Sequence, residues 1–187
     1  RTKFEHFKNI RKTGLIAIGL RDDDELISVR KTYGEEELII VTAKGMAIRF
    51  KEEDVRQMGR TAMGVKGINL NKKDEVVGMD LVEEGKDLLV ISKNGYGKRT
   101  PLDEYSPKTR GGKGLKTYHV KEKTGPLVSA KVVDKDDEIM MISNCGTIIR
   151  LNVKEISEMG RNTQGVTLMK VNEKDEVVAV AKYVEEE

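Results

Sequence analysis

The part of the sequence whose residue types point most directly to chemistry is "SPKTRGGKGLKT", residues 106–117. Arginine offers a planar fork of donors that suits phosphate, and glycine permits positive φ and close approach of another backbone. A phosphate-binding P-loop would need G-x-x-x-x-G-K followed by Ser or Thr, between a strand and a helix. Here Gly114 follows Lys113, and no helical pattern comes after it. The stretch therefore indicates an anion-binding loop of another kind.

The same stretch belongs to an internal repeat, with a spacing of 50 and then 51 residues. A first block recurs as "LIIVTAKGMAIRF" (38–50), "LLVISKNGYGKRT" (88–100) and "IMMISNCGTIIRL" (139–151). A second block recurs as "GRTAMGVKG" (59–67), "TRGGKGLKT" (109–117) and "GRNTQGVTL" (160–168). In the second block an Arg stands four residues before a Gly each time, at Arg60, Arg110 and Arg161. A fixed place in a repeat excludes a flexible linker.

Each repeat contains short apolar runs of the kind that form strands. The first run leads into a tight turn such as Asn94-Gly95, which is a hairpin signal because a type I′ turn needs positive φ. A second strand follows, then the Arg-Gly loop, a strand near 65–70, and a strand with alternating apolar positions at Val76–Leu81. Four strands in about 50 residues are typical of a propeller blade.

The predicted fold is therefore all-β, a propeller-like array of four-stranded blades in which residues 1–187 form part of one domain. Residues 1–37 match only the back part of a repeat: Gly14 lies 50 before Gly64. With three and a half repeats we expect an open arc whose ring does not close. The predicted units are a partial blade at 1–37 and whole blades at about 38–87, 88–138 and 139–187.

Charge distribution suggests the partner. The net charge is only +2, but residues 88–133 carry ten Lys/Arg against three Asp/Glu, whereas residues 134–187 carry seven against twelve. A cationic loop repeated along a curved rim suits a periodic anion, and duplex DNA is the obvious one. Aromatic residues make up 4% and Trp is absent, which disfavours single-strand readers that stack bases. We predict that nine residues contact DNA: Arg11, Lys12, Arg60, Lys66, Lys98, Arg99, Arg110, Lys113 and Arg161.

An alternative role for the repeated arginines is structural, because consensus residues of a repeat usually serve the fold. Arg60, Arg110 and Arg161 could pair with a carboxylate or carbonyl inside each blade, and Arg49, Arg99 and Arg150 sit within strands. At this level the two roles are equally supported. Lys98, Lys108 and Lys113 occur in one repeat only, so they are less readily explained as fold consensus.

Other function classes find little support. One cysteine excludes an internal disulfide and multi-cysteine metal sites, and His6 and His119 stand at unrelated positions. No carboxylate pair recurs in a telling place, so we expect no catalytic residue, metal or cofactor. No apolar run approaches the roughly 20 residues of a membrane span, and a cytoplasmic protein is expected. A propeller that displays peptide-binding loops remains the competing hypothesis, although kelch-type glycine and aromatic patterns are absent.

Several motifs resemble a known family along the whole length of the chain: "EEDVRQMGRTAMGVKGI", "DEVVGMD", "NGYGKRTPLDEY", "TRGGKG" and "GRNTQGV". They look like the C-terminal domain of the gyrase A protein of DNA gyrase. The resemblance implies a β-pinwheel, in which each blade borrows a strand from its neighbour and a basic outer rim wraps duplex DNA. It also implies that the tyrosine that cleaves DNA lies in the N-terminal domain of gyrase A, and that gyrase B hydrolyses ATP. The two proteins together would form a bacterial, nucleoid-associated type II topoisomerase.

The sequence departs from that family pattern in two respects. The family domain generally has six blades, and its box Q-R-R-G-G-K-G in the first blade has only a degenerate echo here, "TRGGKG" at 109–114. We therefore expect a fragment that binds and bends DNA more weakly than the intact domain and does not support negative supercoiling by itself. The related C-terminal domain of topoisomerase IV is the alternative within the resemblance.

Overall fold

The computed structural model describes residues 1–183, which form antiparallel sheets. The acidic end at 185–187 lies outside the described residues. The strands are β1 (Glu37–Thr42), β2 (Met46–Lys51), β3 (Val76–Leu81), β4 (Asp87–Ser92), β5 (Tyr96–Pro101), β6 (Leu115–Lys116), β7 (Leu127–Val133), β8 (Glu138–Ser143), β9 (Ile148–Asn152), β10 (Val166–Thr167) and β11 (Val177–Tyr183). Short 3₁₀ turns occur at Phe4–Phe7, Glu52–Asp54, Leu102–Glu104 and Val153–Glu155.

Every whole repeat begins with the predicted hairpin. β1 pairs with β2, β4 with β5 and β8 with β9, all antiparallel. The turn glycines have the positive φ that the sequence requires, 79° at Gly45, 78° at Gly95 and 83° at Gly146. The last strand of each repeat, β3, β7 or β11, then pairs with the first strand of its own hairpin.

The outer strand of a sheet comes from the following repeat. Although β6 follows β4 and β5 in the chain, it pairs with β2, and the first sheet has the order β3-β1-β2-β6. In the same way β10 pairs with β5 in the sheet β10-β5-β4-β7. The third sheet, β11-β8-β9, has no strand beside β9 within residues 1–183. The strand exchange that the family resemblance implies is confirmed, and among the described residues the last blade lacks a donated strand.

Two predicted strands are absent. Residues 1–36 form a 3₁₀ turn but no strand, and no strand occurs near 65–70. Each absent strand lacks the hairpin with which its equivalent pairs, because a donated strand such as β6 needs the hairpin of the preceding repeat and a last strand such as β3 needs the hairpin of its own repeat. Residues 1–36 contain no hairpin for residues 65–66, and none for the apolar run at 23–29, which lies 50 positions before residues 73–79 and so corresponds to β3. Ser28 and Arg30 at the end of that run bond to the neighbouring β3, at Met79 O and Asp80 Oδ1.

The central sheet is buried on both faces. On β4, Leu88 and Val90 pack toward the first sheet, whereas Leu89 and Ile91 pack toward the third. This explains why the sequence of β4 is continuously apolar instead of alternating. Each blade therefore gains its core from its neighbours.

The contacts between sheets define an inner and an outer side. The strand β3 packs against β7, and β7 packs against β11, so these strands of the three blades meet on one side of the array. The donated strands β6 and β10 lie at the opposite ends of their sheets. The loops that lead into β6 and β10 consequently run along the outer edge.

Candidate nucleic-acid interface

Three equivalent segments, which we call the rim loops, follow the second strand of each hairpin on the outer edge: the first at 56–66, the second at 106–116 and the third at 157–167. Backbone hydrogen bonds tie the second to the region of the first, with Gly111 N to Gly67 O at 2.7 Å and Asn69 N to Gly112 O at 2.8 Å. Successive rim loops therefore form a connected surface.

The glycine of the Arg-Gly motif is needed where the loop meets the preceding blade. Gly114 has a φ of 74°, and a Cβ atom there would lie 2.2 Å from Ala47 O on β2. A side chain at this position would separate β6 from β2. The motif thus fixes where the rim loop ends and the donated strand begins.

The arginines within strands are structural. Each pairs with a carboxylate twelve residues earlier, on the neighbouring strand of the same hairpin. The pairs are Arg49 Nε with Glu37 Oε2 at 2.5 Å, Arg99 Nη1 with Asp87 Oδ2 at 2.6 Å, and Arg150 Nε with Glu138 Oε2 at 2.6 Å.

Two of these arginines also hold the next repeat. Arg49 Nη1 donates to Leu102 O at 3.1 Å and to Tyr105 O at 3.2 Å. Arg99 Nε donates to Ile156 O at 2.8 Å, and its Nη1 lies 2.7 Å from Glu158 Oε2. Burial, the largest single influence, lowers the pKa of Arg99, but hydrogen bonds to the two carboxylates raise that pKa above its ordinary value. The sequence predicts a DNA contact for Arg99, whereas the structure places its side chain in a buried contact between blades.

Lys98 is also buried in a contact with the next repeat. Its side chain is 0% exposed, and Nζ donates to Gly160 O at 2.5 Å and to Arg161 O at 2.6 Å. The ammonium therefore binds the backbone of the third rim loop and does not reach the surface. Burial lowers the pKa of Lys98 to about 8. Lys98 and Arg99 are left out of the interface proposed below.

The buried ammonium predicts a pH dependence of stability. Between about pH 8 and the ordinary lysine value of 10.5, the unfolded chain keeps the proton that folded Lys98 releases. Since the unfolded state binds more protons in that window, the contribution of Lys98 to the free energy of unfolding rises with pH. Lys98→Met should remove this rise, measured by denaturant unfolding at several pH values between about 7.5 and 10.5. Parallel curves for the two proteins would contradict the assignment.

The Arg-Gly arginines hold their loops to the preceding repeat. Arg60 Nη1 donates to Ile16 O at 2.8 Å, and Arg110 Nε donates to Asp54 O at 3.0 Å while its Nη1 donates to Lys66 O. Arg161 uses its backbone N–H, which donates to Glu104 Oε2 at 3.1 Å, with its Nε 3.7 Å from the same atom. All three arginines are half-buried. They position the rim loops, and each still has an exposed part.

The cations that project from the rim are mostly lysines. Lys66 and Lys113 are exposed, as residues that meet DNA must be, and so are Arg11 and Lys12 in the partial repeat. The second rim loop adds two exposed lysines outside the predicted set, Lys108 and Lys116. For Lys108 the sequence carries a signal, because the equivalent positions of the other two repeats are Met58 and Met159, whereas Lys116 is matched by Lys66 in the first repeat.

The part of the chain that the structure describes offers little other chemistry. There, no group of three or more His, Cys, Asp or Glu residues could hold a metal ion. No helix within those residues is long and apolar enough to span a bilayer. Tyr105 and Tyr118 are buried, and burial raises the pKa of Tyr105 to about 12 although its hydroxyl bonds to Thr117 Oγ1 at 2.5 Å. These two tyrosines pack the core between blades.

Comparison with known proteins gives a family. A family model described as DNA gyrase C-terminal domain, beta-propeller, matches residues 1–32, 36–83, 86–134 and 137–182. The DNA gyrase A protein of Staphylococcus epidermidis is 47% identical over 189 residues, and that of Staphylococcus aureus (strain MRSA252) is 45% identical over 188. Both alignments cover all of this chain but only 21% of the relative. The chain thus spans about a fifth of the length of these curated relatives.

Solved structures agree with this result. The C-terminal domain of DNA topoisomerase IV superposes with a TM-score of 0.91 at 29% identity, covering 97% of this chain and 57% of that one. The DNA gyrase A C-terminal domain superposes with a TM-score of 0.85 at 34% identity, covering 92% of this chain and 59% of the other. The higher sequence identities are with gyrase A. The chain belongs to the DNA gyrase C-terminal domain family.

Proposed function

We propose that this chain binds duplex DNA along its outer edge, without regard to sequence, and bends the DNA around the arc of blades. The observation that carries the proposal is the second rim loop. It exposes Lys108, Lys113 and Lys116, contains no carboxylate, and is held by Arg110 to two carbonyls of the preceding repeat. A cationic loop on a fixed backbone is suited to phosphate, because little loop ordering is needed on binding.

Contacts of this kind fix where the duplex lies on the protein, but they do not distinguish one DNA sequence from another. Lysine ammonium groups bind phosphate oxygens, which every sequence presents alike. The rim loops present no tryptophan, phenylalanine or tyrosine for stacking on bases. Binding should therefore be strong at low salt, steeply salt-dependent and nearly the same for unrelated duplexes.

Bending follows from the shape of the edge. The partial repeat and the first and second rim loops follow one another along an array that belongs to a β-propeller family, so we propose that a duplex touching all three follows the curve of the array. Smooth bending of 20–30 base pairs costs on the order of 1–6 kcal/mol. The spaced cations Lys66, Lys108, Lys113 and Lys116, with Arg11 and Lys12 from the partial repeat, are proposed to offset that cost.

A double substitution tests the interface. Lys113→Ala with Lys116→Ala should weaken duplex binding and flatten the plot of log K against log salt by about 1.8, since each phosphate contact contributes about 0.9. Both side chains are exposed, so the fold should be unaffected. Arg110→Ala is a poorer test, because it would also release the loop from Asp54 O and Lys66 O. An unchanged slope would remove both lysines from the interface.

The wider role is proposed from the family. In the complete protein, DNA bent on this edge would be presented to the N-terminal cleavage domain of gyrase A, and the ATP hydrolysis of gyrase B would drive negative supercoiling. On this proposal the chain contributes no catalytic group and requires no cofactor, and it works in the bacterial cytoplasm. The measurement is supercoiling of relaxed plasmid by holoenzyme in which Lys113 and Lys116 are both alanine, which should be slower.

A further inference from the structure

We infer that the DNA path ends at the second rim loop, and that the third rim loop (157–167) lies outside it. The inference rests on the proposed DNA binding and deepens it, since it divides one edge into a binding part and a non-binding part. The third rim loop has the same backbone placement as the second but a different charge.

The equivalence of placement is shown by strand register. On β6, Lys116 pairs with Met46, the first residue of β2. On β10, Thr167 pairs with Tyr96, the first residue of β5. Lys116 and Thr167 are therefore at the same position on two successive blades, and a difference in DNA contact between them must come from the side chains.

At each position where the second rim loop has an exposed lysine, the third has a neutral residue. Counting back from the paired strands, Lys108, Lys113 and Lys116 correspond to Met159, Gln164 and Thr167. The amide of Gln164 also faces inward, because its Oε1 is buried with no hydrogen-bond partner among the described residues. The outward cationic side chain of Lys113 thus has no counterpart on the next blade.

The one cation in the sequence of the third rim loop is already matched by a carboxylate. Arg161 faces Glu104, with 3.7 Å between Nε and Oε2. The loop also carries Glu158, whose side chain is 44% exposed and lies 2.7 Å from Arg99 and 3.7 Å from Lys135. Its formal charge is therefore zero, against four cations and no carboxylate in the second rim loop. Because the third rim loop has no net positive charge, DNA lying over it would release no counterions, and binding there would gain no free energy from that release.

The surrounding segment points the same way. Residues 134–183 carry seven Lys/Arg against nine Asp/Glu, so the described part of the last blade presents a net negative charge to an approaching duplex. The first rim loop, in contrast, carries Arg56, Arg60 and Lys66 without a carboxylate. The cationic edge consequently runs from the first rim loop over the second and stops where β10 replaces β6.

A pair of matched cysteines tests where the DNA runs. The exposed thiol of Cys145 is first removed by Cys145→Ser, and then Ser106→Cys or Ser157→Cys is introduced in the 187-residue chain. Both serines are exposed and begin equivalent rim loops. Each cysteine is coupled to an iron chelate that cleaves nearby DNA, and a bound duplex is analysed for strand breaks.

We expect strand breaks from position 106 and none above background from position 157. Equal cleavage from both positions would overturn the inference while leaving the proposed DNA binding intact. Loss of duplex binding by the unlabelled Cys145→Ser chain would instead overturn the proposed function. Cleavage from position 157 alone would contradict both the charge argument and the direction of the path.

An unlabelled pair of substitutions provides a second measurement. Lys116→Thr places the residue of the third rim loop on the second, and should flatten the salt dependence of log K by about 0.9. Lys154→Thr removes an exposed lysine from the 3₁₀ turn that precedes the third rim loop, and should leave the slope unchanged. A flattened slope for Lys154→Thr would show that DNA reaches the last blade and would refute the inference.

Discussion

Arg99→Ala is expected to destabilise the folded chain by about 3–5 kcal/mol, because it leaves a buried carboxylate without its partner. The side chain of Asp87 is only 4% exposed, and its Oδ2 lies 2.6 Å from Arg99 Nη1. The substitution also removes the donor to Ile156 O in the next repeat. The measurement is the free energy of unfolding from urea titration at neutral pH.

The equivalent pair in the last blade is a matched control. The side chain of Arg150 is 49% exposed, and it pairs with Glu138 in the same register. Exposed pairs contribute up to about 1 kcal/mol, so Arg150→Ala should cost far less than Arg99→Ala. Asp87→Ala combined with Arg99→Met should recover part of the loss, since neither charge then remains buried alone. Equal costs for Arg99→Ala and Arg150→Ala would contradict the role of burial.

Gly95→Ala is expected to produce the second large effect. Gly95 has a φ of 78°, and a Cβ atom there would lie 2.0 Å from Met169 O of the next repeat. Gly95 O also accepts hydrogen bonds from Leu168 N and Met169 N, so the hairpin turn and the segment after β10 are pressed together. A methyl group must separate them, which should add about 1–3 kcal/mol of overpacking to the backbone strain.

The third repeat isolates the backbone strain from the steric clash. Gly146 occupies the same turn with a φ of 83°, but no described atom lies within 4 Å of its ideal Cβ position. Gly146→Ala should therefore cost only the strain of positive φ, roughly 1–2 kcal/mol. Unfolding of the two variants by urea, compared with the parent chain, measures the difference. Gly146→Ala as damaging as Gly95→Ala would mean that contact between blades does not explain the effect.

The repeat, the hairpins and the all-β class could be predicted from the sequence, because each rests on local residue types. Gly45, Gly95 and Gly146 mark turns that need positive φ, and the apolar runs before them become the buried first strands. These features involve residues close together in the chain, where spacing carries the information.

Which side chains face solvent could not be predicted in the same way. Lys98 and Arg99 have the residue types of a phosphate site, yet both are buried because β5 is covered by the third rim loop and its neighbours. The residues that cover β5 lie about 60 positions later in the chain. They are held in place by β10, which is only two residues long and therefore gives little sequence signal. The sequence leaves a structural role and a DNA-binding role open for Arg49 and Arg99. Their hydrogen bonds to carbonyls of the next repeat show the structural role.

The most direct test of DNA bending by this edge is the distance between the ends of a bound duplex, measured by energy transfer between end labels. A duplex of about 40 base pairs is suitable, because it is much shorter than the persistence length of about 150 base pairs and is nearly straight when free. We predict that binding at low salt shortens the end-to-end distance, that the shortening is the same for unrelated sequences, and that Lys113→Ala with Lys116→Ala reduces it. Saturated binding with no change in that distance would contradict the proposal that the edge bends DNA.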